Sequence, residues 1–448
     1  MTGTISLPFW LFILILLFAA VTFASNFLFP SVRWFFRKRM ERAVERINKR
    51  LERPIEPFKL ARRHDMIQQV LYHPDVMEAV REHSAVEGIP ENVAFEEARK
   101  YAREIVPSFS ASLYFTLATR GAKFLSQAFY RVRLGHYDTA LSDVDSDATV
   151  VFVMNHRSNM DYVLVTYLAS RQLALSYAVG EWARVWPLSG VIRAMGAYFI
   201  RRKSRGLLYR RVLARYVKMA THGGVTQAVF PEGGLSLTGG LKPPKMGLLN
   251  YVISAWDPTD RDVVFIPVAI NYDRVLEDYM LIGASQRGDR RFPASMKIVS
   301  KFLVTQFWLR MTGRYNKFGY AAASFGEPLS MHSFAKDNTA DVESVANELM
   351  TRIGNVVPIL PVPLVARVLA RDGPMEKGAL LDKFKAELSV FSEGHVHIPR
   401  DDEDYAFDVG LRNLLRRALV QDENNIVSVT EKGRDVIPYY ANTLSHLK

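Results

Sequence analysis

Residues Leu7 to Phe29 read LPFWLFILILLFAAVTFASNFLF, a run of 23 residues without a charge. As helix, rising ~1.5 Å per residue, such a run reaches across a hydrocarbon layer of about 30 Å. A cleaved signal peptide is the competing reading. It opens with a positive region, and the leading MTGTIS carries no charge. A transmembrane anchor is therefore expected over residues 1–30. The basic stretch RWFFRKRMERAVERINKRLER follows, which puts the remainder on the cytoplasmic side of the cell (inner) membrane. Within it Phe36, Met40, Val44, Ile47 and Leu51 recur at steps of three and four. Over residues 31–53 this is a basic amphipathic helix. It suits the surface of an anionic lipid bilayer, and equally an ordinary helix packed on the domain.

The 448 residues suit one large domain or two to three smaller ones, and a 49% apolar content supplies a core. The absence of cysteine excludes disulfides, thiolate zinc sites and a cysteine nucleophile, and fits a reducing compartment. Lys and Arg number 58 against 46 Asp and Glu, a formal charge of +12. That excess suits anionic lipid, phosphorylated metabolites or nucleic acid.

Residues 54–135 read as helical. From Ala148 short β-branched runs appear, at Thr149–Met154, Val225–Phe230, Val263–Ile270, Lys297–Val299 and Tyr320–Phe325. Helical patterns such as Tyr162–Ala169 and Leu207–Met219 separate most of them. The expected fold is α/β, a mixed, partly parallel sheet flanked by helices over residues 136–365. A small α+β segment, 366–448, follows. Its helix–strand–helix order could suggest a winged helix. Asp401, Asp402, Glu403 and Asp404 interrupt any basic face there, and no nucleic-acid partner is expected.

Three His-x-x-x-x-Asp pairs occur: His156 to Asp161, His332 to Asp337 and His397 to Asp402. His332 and His397 lie in polar contexts and read as surface residues. His156 leaves the apolar run Thr149–Met154, Ser158 or Asn159 can cap a helix, and Asp161 falls in that helix's first turn. On an ideal helix, residues five apart do not face each other. With His156 still in the loop, its ring can fold back over Asp161. The carboxylate then fixes the tautomer, and the other ring nitrogen serves as general base. From these eight residues alone, a histidine that caps a helix and does no chemistry fits as well. No second histidine stands at ligand spacing and HExxH is absent, so no metal is expected.

Further blocks follow: Gly196-Ala-Tyr-Phe-Ile-Arg-Arg202, Phe230-Pro-Glu-Gly-Gly234 and Phe265-Ile-Pro-Val-Ala-Ile-Asn-Tyr-Asp273. With NHRSNMD, their order resembles the glycerolipid acyltransferase family, most closely the bacterial glycerol-3-phosphate acyltransferases. VGEWARVWPLSGVIRAMGAYFIRR, PVPLVA and PYYANTLSHL support the narrower likeness. The resemblance runs from about residue 110 to the end.

It implies transfer of a fatty acyl group from an acyl thioester, acyl-CoA or acyl-acyl carrier protein, to a hydroxyl of glycerol 3-phosphate. No cofactor is bound tightly. His156 takes the hydroxyl proton and Asp161 orients it. Arg201 and Arg202 hold the phosphate with help from Arg157. Glu232, Gly233, Ser236 and Lys245 lie at substrate contacts, and Pro267 shapes the acyl channel. One departure stands out. Where the family carries basic residues after the glycines, this chain reads Leu235-Ser-Leu-Thr-Gly-Gly240, with Lys242 and Lys245 nearby. Lysophosphatidate or another lysophospholipid thus becomes a second acceptor candidate, and a catalytically inactive, membrane-anchored lipid-binding protein an alternative of another class.

Overall fold

The computed structural model describes residues 8–24, 29–135, 137–169, 173–180, 188–201, 206–288, 304–306, 308–313, 315–337, 341–391 and 396–447. They form two units, Met1–Ile55 and Glu56–Lys448.

In the first unit the uncharged run is helical over Phe9–Phe23, 15 residues. At ~1.5 Å per residue this is ~22 Å, short of a 30 Å hydrocarbon layer. Among the described residues no helix is long and apolar enough to cross a membrane. The expected single anchor over residues 1–30 is corrected accordingly. Freedom from charge extends over 23 residues, but residues 25–28 lie outside the described ones and a second helix begins at Phe29. The first helix leaves its apolar side chains uncovered, with Phe9 78%, Trp10 64% and Phe18 73% exposed. Such a surface calls for an apolar environment. The basic helix spans Phe29–Asn48, ending short of the expected residue 53. Beyond it Asn48 accepts the Ile55 N–H at 3.0 Å.

The second unit is built on an eight-stranded sheet. Its strands are β1 Arg131–Gly135, β2 Thr149–Met154, β3 Ser176–Val179, β4 Tyr198–Phe199, β5 Gln227–Val229, β6 Val263–Tyr272, β7 Tyr320–Phe325 and β8 Leu329–Ser330. Their order is β1-β7-β6-β2-β5-β3-β4, with β8 also on β6. Strands β6, β2, β5, β3 and β4 run parallel. β7 and β8 run antiparallel to β6. The mixed, partly parallel sheet expected from the sequence is present. Every residue of β2 and β6 is buried, the pattern of strands covered on both faces. One expectation differs. Residues 131–135 were placed with the helices, yet Arg-Val-Arg-Leu-Gly pairs with β7, and its Arg131 and Arg133 lie over the Tyr320 ring. The strand expected at Lys297–Val299 lies outside the described residues.

The helices Arg63–Leu71, Pro74–Glu87 and Glu91–Ile105 share one apolar core with the sheet, as do Val342–Asn355 and Pro361–Asp372. A three-stranded antiparallel sheet of Met375–Glu376, Val420–Glu423 and Ile426–Val429 completes the C-terminal segment. All five parallel strands point their carboxyl ends to one edge, where ligands bind in open α/β sheets.

Candidate active site

β2 delivers the loop 155–159 to that edge. Asn155 steadies the exit: its side chain donates to Ile270 O at 3.0 Å and accepts from Ile270 N at 2.7 Å. An amide side chain thus continues the β2–β6 pairing one residue beyond Met154. Ser158 Oγ accepts from Met160 N at 3.1 Å, capping the helix Met160–Ala169. Asp161 sits in its first turn, as the sequence suggested.

His156 Nδ1 and Asp161 Oδ2 are 2.9 Å apart, both side chains buried. An ionised carboxylate only accepts, so Nδ1 carries the hydrogen and Nε2 the lone pair. Oδ2 also accepts the backbone N–H of Arg157 at 2.7 Å and of Ser158 at 3.0 Å. Oδ1 accepts from Tyr272 Oη at 2.7 Å. Burial and the neighbouring Asp161 hold the Tyr272 phenol well above its usual pKa, so it stays a donor. The imidazole leans on Phe230, ring centres 4.2 Å apart, and meets Tyr162 edge-on. Asp161 therefore has both carboxylate oxygens engaged, and the histidine ring is fixed on two sides.

The 230–240 loop braces His156 from below. Glu232 Oε1 accepts His156 N at 3.1 Å, and Ser236 N donates to His156 O at 2.9 Å. The Ser236 hydroxyl donates to Gly240 O at 2.7 Å. Burial raises the Glu232 pKa, while Arg157 opposes the rise. Gly233 has φ +66°, and a Cβ there would lie 2.7 Å from Lys245 Cδ. The family resemblance implies Glu232, Gly233, Ser236 and Lys245 as substrate contacts. In the structure the first and third hold the backbone of His156, and Lys245 lies exposed with its stem against Gly233.

Arg157 is fully buried. Its Nη2 reaches Thr443 O of the C-terminal segment at 3.5 Å, and Nε and Nη1 have no hydrogen-bond partner among the described residues. Burial lowers its pKa, with Glu232 and Tyr439 acting the other way. Arg201 leaves β4 at the same edge as His156, three strands along, which is about 14 Å at ~4.8 Å per strand. Its guanidinium makes two bonds to Glu104, at 2.9 and 2.7 Å. The fork expected to hold phosphate is thus closed on a carboxylate of the N-terminal helices. Arg202 lies outside the described residues.

Pro267 pairs with Val153 inside the sheet, in a central strand and not at an edge. β8 pairs with Val264 and Phe265, and β7 takes over from Val268. Pro267 stands at the gap, where its lacking N–H leaves no ladder bond unmade. It packs toward Gly326, whose backbone N–H donates to Pro267 O at 2.8 Å. His332 and His397, read as surface residues, are half-buried. His397 Nε2 meets Ser324 Oγ at 3.0 Å.

Sequence reasoning missed Tyr272, Asn155 and Glu277. Glu277 accepts from Ser158 Oγ at 2.7 Å and from Asn159 Nδ2 at 3.0 Å, holding the loop's outer turn. Asn155 and Tyr272 were inside quoted blocks, but only the tertiary pairing gives them roles. Among the described residues no cluster of side chains suited to a metal occurs.

A largely parallel sheet thus presents an aspartate-held imidazole at its strand ends. Residues 138–271 match the family model described as Acyltransferase, and residues 308–448 that of the Glycerol-3-phosphate acyltransferase C-terminal region. The resemblance to the glycerolipid acyltransferases, bacterial glycerol-3-phosphate acyltransferases in particular, is borne out. The glycerol-3-phosphate acyltransferase of Aeromonas hydrophila subsp. hydrophila is 27% identical over 423 residues, covering 87% of this chain and 50% of that protein. That of Shewanella halifaxensis is 27% identical over 431 residues, covering 87% and 51%. The chain spans about half the length of the curated relatives it matches. A solved structure, the 1-acyl-sn-glycerophosphate (LPA) acyltransferase PlsC from Thermotoga maritima, overlaps with a TM-score of 0.33 at 19% identity, covering 53% of this chain and 77% of that one.

Proposed function

We propose that this chain is an O-acyltransferase moving a fatty acyl group from an acyl thioester to a hydroxyl of glycerol 3-phosphate, in phospholipid synthesis. One observation carries the reading: His156 Nδ1 lies 2.9 Å from Asp161 Oδ2 at the carboxyl ends of the parallel strands. The uncovered apolar helix Phe9–Phe23 and the basic helix Phe29–Asn48 support attachment to the anionic, cytoplasmic face of the cell membrane.

His156 Nε2 takes the proton of the acceptor hydroxyl as its oxygen attacks the thioester carbonyl carbon. Asp161 steadies the imidazolium that forms. The tetrahedral intermediate then collapses, the C–S bond breaks, and the proton on Nε2 passes to the departing sulfur. General-base catalysis of this kind is worth on the order of 10²–10⁴ in rate. A thioester has a good leaving group already, so no enzyme nucleophile is required.

A lysophospholipid acceptor is the second reading. It is favoured by Arg201 being closed on Glu104 and by Leu235, Leu237 and Gly240 standing where the family carries basic residues. A screen of glycerol 3-phosphate, lysophosphatidate and other lysophospholipids with one radiolabelled acyl thioester separates the two. His156→Ala is expected to abolish acceptor-dependent thiol release. Release that survives intact in that variant defeats the mechanism, and binding without turnover across the whole panel favours a lipid-binding protein.

A further inference from the structure

Beyond the carboxyl end of β6 a cleft of about 400 Å³ opens. Asp273, Arg274, Gln306, Lys317 and Arg416 line it, the last at the end of the helix Glu403–Arg416. Arg417 also lines it but is paired with Asp278. Among the described residues the one acidic lining residue is Asp273. Its two oxygens accept the backbone N–H groups of Tyr320 and Val362, at 2.8 and 2.9 Å. The acid is thus tied into the wall, and the basic excess of Arg274, Lys317 and Arg416 remains. Two buried polar atoms of the lining have no hydrogen-bond partner among the described residues: Arg274 Nε, a donor, and Gln306 Oε1, an acceptor. Cations with an unused guanidinium N–H suit a phosphate ester. An unused amide oxygen beside them suits a hydroxyl or amide N–H on the same ligand.

The position tells which substrate such a phosphate belongs to. β6 adjoins β2, so the cleft opens at the same edge as His156. Yet aromatic rings stand between them. The Arg274 guanidinium covers Phe318 at 4.2 Å, Phe318 meets Tyr130, Tyr130 meets Tyr272, and Tyr272 holds Asp161. In glycerol 3-phosphate the phosphate is joined to the reacting hydroxyl by a short glycerol skeleton, too short to span those rings. An acyl donor carries its phosphate at the far end of a long arm that bears a hydroxyl and amides.

We propose that this cleft seats the phosphate ester of the acyl donor's phosphopantetheine arm, a group common to coenzyme A and acyl carrier protein. The proposal rests on the acyltransferase reading. Its test uses the full chain and the double variant Lys317→Glu/Arg416→Glu. Both side chains are exposed, so the fold is expected to survive, checked by an unchanged Tm. Calorimetry is run with coenzyme A, 4′-phosphopantetheine and pantetheine. The first two are expected to bind, pantetheine not, and the double variant to bind coenzyme A at least tenfold more weakly, the scale of one lost charge-assisted contact. In turnover, the donor KM is expected to rise at least tenfold while the KM for glycerol 3-phosphate holds. Acyl-CoA and acyl-acyl carrier protein, assayed separately, tell which source the cleft serves, and a rise with either supports it. Unaltered coenzyme A binding in the double variant, or a rise confined to the acceptor KM, overturns the proposal. Should the chain turn over no acceptor yet lose coenzyme A binding in the variant, the cleft stands and the acyltransferase reading falls.

Discussion

Tyr272 donates its phenolic hydrogen to Asp161 Oδ1 at 2.7 Å. The carboxylate is thereby pinned from the side opposite His156, and Oδ2 is left for the imidazole and two backbone N–H groups. Tyr272 is a positioning residue that acts on substrate only through Asp161 and His156. Its place at the last position of β6 ties the reactive loop to the neighbouring strand.

Tyr272→Phe keeps the ring against Tyr130, 5.2 Å between centres, and removes only the donor. A hydrogen bond to a charged group is worth about 1.5–3 kcal/mol, so kcat is expected to fall about tenfold or more while both KM values change little. An unchanged kcat shows that Tyr272 only fills space.

Arg201 and Glu104 make a second test. Their two bonds, at 2.9 and 2.7 Å, close the guanidinium fork, and the pairing holds the Arg201 pKa above its ordinary value. A phosphate can be held there only by displacing the carboxylate. Glu104→Gln keeps one acceptor oxygen and removes the charge, so the KM for glycerol 3-phosphate is expected to fall about threefold, a change of under 1 kcal/mol. Steady-state kinetics reads it directly. A KM that does not move excludes Arg201 from acceptor binding and strengthens the lysophospholipid reading.

What could be read from the sequence follows the range of the interactions concerned. Thr149–Met154 is apolar after its first residue and ends four residues ahead of the capping Ser158, so β2, the loop and the first turn of helix were all local signals. The His156–Asp161 contact depends on that turn alone, and its geometry came through. β1 carried little signal, because Arg131 and Arg133 interrupt its apolar residues and β7, its partner, lies almost 190 residues away. The family resemblance implies Arg201 as a phosphate ligand, and nothing near it in sequence is acidic. Glu104, which neutralises it, is 97 residues upstream. Tyr272 and Asp161 are 111 apart. The uncharged N-terminal run showed the converse failure, since composition measures apolarity and does not say where a helix stops.

Gly239 joins the third block to the C-terminal segment. It has φ +85°, and a Cβ there would lie 1.9 Å from Tyr439 O, a backbone atom that cannot swing aside. Gly239→Ala is expected to cost about 3 kcal/mol or more, from backbone strain and overpacking together. Gly233→Ala meets only the flexible stem of Lys245 and is expected to cost about 1 kcal/mol. Urea denaturation of the two variants ranks them. Equal costs contradict the close packing of Tyr439 on this loop.

Asp273 supplies a pH dependence. Burial raises its pKa to about 7, against the lowering effect of the Tyr320 and Val362 N–H groups. The folded protein therefore holds this proton more tightly than the unfolded chain, in which the group titrates near 3.8. The stabilising contribution is complete below the unfolded value and is lost as pH rises through about 7. Between those limits this group alone lowers stability by on the order of 1.4 kcal/mol per pH unit. Asp273→Asn cannot titrate, so the slope of unfolding free energy between pH 5 and about 7 is expected to flatten relative to the parent chain. The variant also loses an acceptor for one of the two N–H groups, which lowers its stability at pH 7 by about 1–3 kcal/mol. Chemical denaturation at half-unit pH steps separates the two effects, since one changes the slope and the other the height. Parallel slopes in the two proteins mean that Asp273 is ionised throughout and its carboxylate charge is stabilised by those backbone groups.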